Sequence, residues 1–414
     1  MDNKKTLIGP FKQILSMDKL PLKGALKDEQ LEIISDGGIL IQGHNILEIG
    51  NFKSLADQNP NCNHETIKTD MVAIPGLIDA HTHICFAGTR SFDYAARNNG
   101  KTYLEISKEG GGIASTVKHT RAASQETLVE LMIPRMEKQM HNGITTTEVK
   151  SGYGLDKEHE IKMLRAIKEA NSQHALDLIA TCLSAHIIPK DKKITEEEYL
   201  QYILDEIEPT ISKENLSKRF DIFIEDGAFS KAGATKYLTQ LKSKGYEITV
   251  HGDQFNPGGS EVSIAVGAKS VDHLEASGDK EISALAKSEV IPIALPGASI
   301  GLGCPFTPAR KLLDKGCSLA IASDWNPGSA PQGNLLSQAA LLGTFQKLSS
   351  AEVLSGITFR AANALGFTDR GILAKNNLAD IIAFPTNDYR EILYHQGELK
   401  VQKVWKKGQK MVDK

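Results

Sequence analysis

The sequence predicts a mixed α/β fold, a closed (β/α)8 TIM barrel accompanied by a small β-sandwich domain that both termini build. From Met71 onward, short apolar runs of strand type alternate with longer amphipathic stretches, the pattern of βα units on a parallel sheet. Eight such runs fall within about 250 residues, the span such a barrel needs. Polar side chains gather at the C-terminal ends of the runs, the rim where this fold carries its active sites.

Residues 1–70 hold short alternating segments broken by turn residues, and DGGILIQGHNILEIG (Asp36 to Gly50) is a hairpin signal. They are expected to form the first part of the small β domain. The barrel is expected over residues 71–370. Its runs are VAIPGLIDAHTH ending at His83, ITTTEVKSGYG at Gly154, LDLIATCLSAH at His186 and RFDIFIEDG at Gly227. EITVHGDQ ending at Gln254, KSVDHLE at Glu275, VIPIALPG at Gly297 and CSLAIASDWNPG at Gly328 follow. Residues 371–414, with GILAKNNLADIIAFPTND and LKVQKVWKKGQKMV, return to short strands and complete the small domain.

Composition narrows the function classes. A chain of 414 residues with 41% hydrophobic and 24% charged residues is an ordinary globular protein, which excludes disorder, collagen-like repeats and a disulfide-built miniprotein. With 48 basic against 51 acidic residues there is no net field to draw the chain onto nucleic acid or an anionic membrane, so the expected partner is a small molecule. The five cysteines show no CxxC pair and read as core residues of a reducing compartment. MDNKKTLIGPFKQIL has no apolar core of a secretory signal, so a cytoplasmic protein is expected. The uncharged run from Val290 contains Pro292, Pro296, Pro305 and Pro308 and reads as a buried strand and loop rather than a membrane span.

The chemistry-bearing residues are His81, His83, Lys150, His186, Glu225, His251, His273 and Asp324, all at strand ends. His81 and His83 share one face of a strand because side chains alternate, so the two imidazoles can share one metal ion. Joined by His251, His273 and Asp324 at other strand ends, they make an imidazole and carboxylate group that suits zinc or iron. Such an ion, divalent or trivalent and one per subunit, would activate water and polarise a carbonyl, with Asp324 taking the proton. Cys85 shares the histidine face but reads as packing. The glycine run Gly110 to Gly112 lacks the GK[ST] ending of a phosphate loop. Asp272, next to His273, points the other way by alternation and is not its orienting partner.

PGLIDAHTH, the later single histidines and SDWNPG resemble the amidohydrolase superfamily, metal-dependent hydrolases on a TIM barrel. More narrowly, AHTHICFAGTR, KTYLEISKEGGGIASTVKHTR, TTTEVKSGYGL, SAHIIP, VHGDQF and SDWNPGS resemble its branch that opens the imidazolone ring in histidine breakdown. The resemblance covers nearly the whole chain. It implies hydrolysis of the cyclic amide of 4-imidazolone-5-propanoate to N-formimidoyl-L-glutamate. It implies His81, His83, His251 and Asp324 as metal ligands, and catalytic roles for Asp324, His273 and His186. It places Arg90, Tyr103, Tyr153, His186 and Gln254 on the substrate, with Asn326, Gly328 and Ser329 at the product end, and it implies a homodimer.

Arginine suits the substrate's carboxylate tail, since its guanidinium offers a planar pair of donors. Some members of the branch carry glutamate where this chain has Gln254. Glutamine cannot accept a proton, so proton transfer is expected from Asp324 with His273 and Gln254 is expected to bind substrate. Lys150 falls on the second strand rather than the fourth, which favours one metal over a pair bridged by a modified lysine, and its own role is open. The alternative is a purine or pyrimidine aminohydrolase of the same superfamily, which would release ammonia.

Overall fold

A computed structural model describes the chain apart from residues 1–3, 102–104, 107–108 and 190. The N-terminal segment forms β1 (Lys5–Leu15), β2 (Ile33–Gln42), β3 (Asn45–Asn51), β4 (Asn63–Thr66) and β5 (Val72–Pro75). β1 pairs antiparallel with β2 and parallel with β4 and β5, and β2 pairs antiparallel with β3. The hairpin expected around Asp36 to Gly50 is the β2–β3 pair.

The barrel follows as β6 (Leu77–Asp79), β7 (Ile144–Lys150), β8 (Asp177–Ala185), β9 (Arg219–Ile222), β10 (Glu247–Gly252), β11 (Ser270–His273), β12 (Ile291–Ala294) and β13 (Ala320–Ile321). Each strand lies in one of the eight predicted runs, and all neighbours along the path pair in parallel. Helices such as Gln125–His141 and Lys157–Gln173 connect consecutive strands, as parallel pairing requires. The first run, VAIPGLIDAHTH, is shared: β5 belongs to the small sheet and β6 to the barrel, with Gly76 between them. A β-carbon at Gly76 would collide with the Thr145 side chain, so only glycine lets the chain cross there. The run from Val290 is β12 followed by helix Pro296–Leu302.

The barrel is closed just beyond its named strands. Thr82 bridges Trp325 in parallel, the Asp324 N–H donates to the His81 carbonyl at 3.0 Å, and the His83 N–H donates to the Trp325 carbonyl at 2.9 Å. The seam therefore runs through the segments that carry His81, His83 and Asp324.

The C-terminal strands β14 (Ile381–Phe384), β15 (Lys403–Lys406) and β16 (Gln409–Asp413) return to the first sheet, where β14 lies antiparallel to β5. The small unit built from both termini is one mixed sheet in the order β16-β15-β14-β5-β1-β2-β3, with β4 beside β1. Its own core comprises Ile8, Phe11, Ile14, Ile39, Ala73, Ile381 and Trp405, all fully buried. Phe11 meets Trp405 edge to face at 6.1 Å. The sheet is tied to the barrel by charge as well. Asp177, at the start of β8, pairs with Lys406 at 2.9 Å, Lys407 at 2.8 Å and Arg370 at 2.9 Å. Among the described residues no helix is long and apolar enough to cross a membrane.

Candidate metal centre

His81 and His83 follow β6 and project to the same side, as the alternation predicts. Their Nε2 atoms lie 3.3 Å apart, and His251 Nε2, from β10, lies 3.3 Å from that of His83. Asp324 Oδ1 stands 3.6 Å from His81 Nε2 and 3.5 Å from His83 Nε2. A tetrahedral shell with bonds of about 2.1 Å has its ligand atoms about 3.4 Å apart, so these spacings suit a single ion.

The tautomers point the same way. His81 Nδ1 lies 2.7 Å from Asp272 Oδ2, and His251 Nδ1 lies 2.8 Å from Asp221 Oδ2. A neutral imidazole that donates from Nδ1 presents a bare lone pair at Nε2. Burial pushes His81 and His83 well below the ordinary imidazole range, and His251 down to about 4, so all three are neutral near pH 7. Several lone pairs converging at this distance repel unless a cation sits among them. Carboxylates behind ligating histidines are the usual outer support of such an ion. The donor set fits a divalent metal.

Asp324 is held in an uncommon backbone conformation, with φ of +51°, and His273 and Leu274 have φ of +90° and +71°. Residues in this region cost of order 1–3 kcal/mol each and collect at functional sites. Burial raises the Asp324 carboxyl to about 7. For His273, burial pushes the imidazole down, but the Glu275 carboxylate, 3.5 Å from its Nδ1, outweighs this and leaves the group above its ordinary value. Asp272 turns away from His273 to His81, as alternation predicts.

These groups open onto a pocket of about 110 Å³ lined by His83, Arg90, Ile113, Tyr153, His186, Phe223, His251, Gln254, His273, Asp324, Asn326 and Ser329. Arg90 Nε donates to Asp93 Oδ2 at 2.7 Å, and the Gly112 N–H donates to the same oxygen at 2.9 Å. The glycine run Gly110 to Gly112 thus supports an arginine through Asp93 rather than cradling a phosphate. Tyr153 sits between Gly152 and Gly154 on a loop whose N–H groups, with that of Leu155, donate to the buried Glu160 carboxylate. His186 stacks on His83 at 5.5 Å with the rings 20° apart, and its Nδ1 lies 3.0 Å from the Gly152 carbonyl. Asn326 Oδ1 accepts the N–H groups of Gly328 and Ser329 at 2.7 and 2.8 Å, shaping the turn after Asp324.

Of the residues singled out by sequence, His81 lies fully buried beneath the pocket and Gly328 meets it through Arg90. Tyr103 lies outside the described residues. Glu225 turns to the rim, where it accepts the N–H groups of Phe255 and Asn256 at 2.9 and 3.1 Å. Cys85 is packed away from the centre, its Sγ 3.8 Å from the Met163 carbonyl. Sequence reading missed Asp93, Glu160, Asp221 and Glu275, and missed Asp272 as the partner of His81. For Asp221 a signal existed: a lone carboxylate inside the apolar strand FDIFI is costly unless paired.

Barrel, seam and centre define an amidohydrolase, and the family model described as "Amidohydrolase family" matches residues 72–411. The imidazolonepropionase of Deinococcus radiodurans is 38% identical over 98% of this chain and 99% of its own. That of Deinococcus deserti is 41% identical over 82% and 84%, and that of Bacillus cytotoxicus 35% over 96% and 94%. The chain belongs to the imidazolonepropionase family of amidohydrolases. Among solved structures, the zinc complex of atrazine chlorohydrolase from Arthrobacter aurescens superposes with a TM-score of 0.72 at 16% identity, covering 99% of this chain and 95% of that one. A zinc-bound adenosine deaminase from Xanthomonas campestris gives 0.71 at 16%, covering 99% and 93%. At that identity the likeness concerns the fold.

Proposed function

We propose that the protein hydrolyses the cyclic amide C–N bond of 4-imidazolone-5-propanoate, giving N-formimidoyl-L-glutamate in histidine degradation. The observation that carries this reading is the pocket itself. It sets a guanidinium, Arg90, on the wall of a small cavity whose floor is a cluster of neutral imidazoles and one carboxylate. That suits a small ring with an anionic tail. The 35–41% identity to imidazolonepropionases over most of the chain supports the same substrate.

In this reading His81, His83, His251 and Asp324 hold one ion, zinc or iron, since imidazole and carboxylate donors suit both. When bound, the ion acidifies water and polarises the ring carbonyl. Arg90 pairs with the propanoate, its orientation set by Asp93. Tyr153 and His186 flank the imidazolone ring, and Gln254 hydrogen-bonds to it. Asp324 takes the proton of the attacking water and passes it to the departing ring nitrogen. His273 and His186 stabilise charge that develops on the carbonyl oxygen. Asn326, Gly328 and Ser329 line the product end, with Tyr103 nearby. The chain works in the cytoplasm as a homodimer with small-molecule partners alone.

The test is incubation with 4-imidazolone-5-propanoate, followed by mass spectrometry. A product heavier by one water, lost on chelation, is expected. Inactivity of a metal-loaded protein, with ammonia released from purine or pyrimidine substrates instead, would overturn the reading in favour of a deaminase.

A further inference from the structure

Lys150 ends β7, and its side chain is 1% exposed. Its Nζ lies 2.8 Å from Glu148 Oε1, 2.8 Å from Asp221 Oδ2 and 3.6 Å from Asp272 Oδ2. Each of these carboxylates in turn supports a segment bearing a proposed ligand. Asp272 Oδ2 lies 2.7 Å from His81 Nδ1. Asp221 Oδ2 lies 2.8 Å from His251 Nδ1, and its Oδ1 accepts the His251 backbone N–H at 3.1 Å. Glu148 Oε2 accepts the N–H of Thr82, the residue between His81 and His83, at 3.3 Å. The Lys150 backbone N–H donates to the Thr82 carbonyl at 2.9 Å, which fixes β7 against the same segment.

Three buried carboxylates around one point repel unless a cation stands between them. An ammonium carries three donors and no acceptor, so it can face all three at once. Lys150 does not line the pocket, so substrate contact is not its task. Asp221, His251 and Asp272 also lie close enough to share a cation among themselves, and the Lys150 ammonium is the cation already beside them.

We propose that Lys150 is the positioning residue of the metal centre: its one ammonium holds Glu148, Asp221 and Asp272 where they aim His81 and His251, and thereby sets how tightly the ion is held. The proposal rests on the metal centre put forward above. Without the ammonium the like-charged carboxylates separate, which moves the acceptors that keep both rings facing inward by Nε2.

The test compares wild type, Lys150→Met and Lys150→Arg as full-length chains, stripped of metal and titrated with zinc against a chromophoric chelator, with thermal melts of the metal-free proteins alongside. Outer partners of ligating histidines typically contribute about 10–100-fold in affinity. Lys150→Met is expected to hold zinc at least about tenfold more weakly, and Lys150→Arg, which keeps the charge, to recover most of that loss. The charge-matched double variant Lys150→Met with Glu148→Gln is measured beside them in case unbalanced carboxylates prevent folding, with the same expectation. Wild-type zinc affinity in a folded ammonium-free variant, even with a lowered melt, would overturn the proposal, as would an arginine variant no better than methionine. A wild type that binds no zinc would remove the centre and the proposal together. A wild type that binds zinc with Lys150-dependent affinity yet leaves the imidazolone intact would overturn the activity alone.

Discussion

The Arg90 guanidinium occupies the space that a β-carbon on Gly328 would need. An arginine from the first βα loop and a glycine after the last barrel strand are thus packed against one another across the mouth. Gly328→Ala is expected to push Arg90 off its line with Asp93 and raise KM by about tenfold, a loss of about 1.4 kcal/mol, with kcat within a few-fold of wild type. Steady-state kinetics decide it, and an unchanged KM would show that Arg90 does not hold the substrate.

Loss of metal and loss of activity are expected to coincide. Replacing His251 with alanine removes one of three imidazole donors and leaves Asp221 without its ring partner. The purified variant should contain little metal by elemental analysis and show no turnover. A His251→Ala protein with full activity would contradict the proposed ligand set.

Cys85 follows the two histidines by alternation, yet burial pushes its thiol up to about 12, far from the thiolate that binds metals. Cys85→Ala should keep the wild-type metal content and lose about 1 kcal/mol of stability through the small void it leaves. Metal content and a denaturant titration on the same sample separate the two readings.

The clamp between barrel and outer sheet should be sensitive to acid. Burial alone would raise the Asp177 carboxyl, but the Lys406 ammonium and the hydrogen bonds from Lys407 and Lys406 more than offset it and hold the group below 3.8. A depressed carboxylate stabilises the fold above its unfolded pKa, and that contribution fades as pH falls through the depressed value. Asp177→Asn is therefore expected to cost about 1–3 kcal/mol at pH 7, since Lys406 is buried, and progressively less at an acid pH where the wild-type carboxyl takes up its proton. Urea unfolding of both proteins at the two pH values measures the difference.

The barrel could be read from sequence because parallel strands, covered on both faces, leave near-continuous apolar runs, and their ends carry histidines that an apolar strand would otherwise exclude. His81, His83, His251, His273 and Asp324 stand out in the sequence for that reason, and the narrower set of four proposed ligands rests on the family resemblance. The supports behind them were not legible. Alternation says that Asp272 faces away from His273, but only the closed barrel brings it against His81 from across the ring. Glu160 lies on helix Lys157–Gln173, where its spacing resembles any helical glutamate, and its task of gathering three N–H groups of the Tyr153 loop emerges only when that loop folds back. The split of VAIPGLIDAHTH between two sheets was equally hidden, because both halves are apolar and only the crossing at Gly76 divides them.

The antiparallel pairing of β14 with β5, Ile381 opposite Pro75, imposes an order on biosynthesis. A ribosome adding about 5–20 residues per second delivers every strand of the barrel several seconds before the last strands of the outer sheet emerge. During that interval β5 is flanked by β1 on one side and by nothing on the other, an open edge of the kind that invites pairing with a second nascent chain. The final strands thus act as a self-supplied cover for a sheet begun at the start of translation. A chain cut short before Ile381 would retain all the proposed metal ligands yet be prone to aggregation.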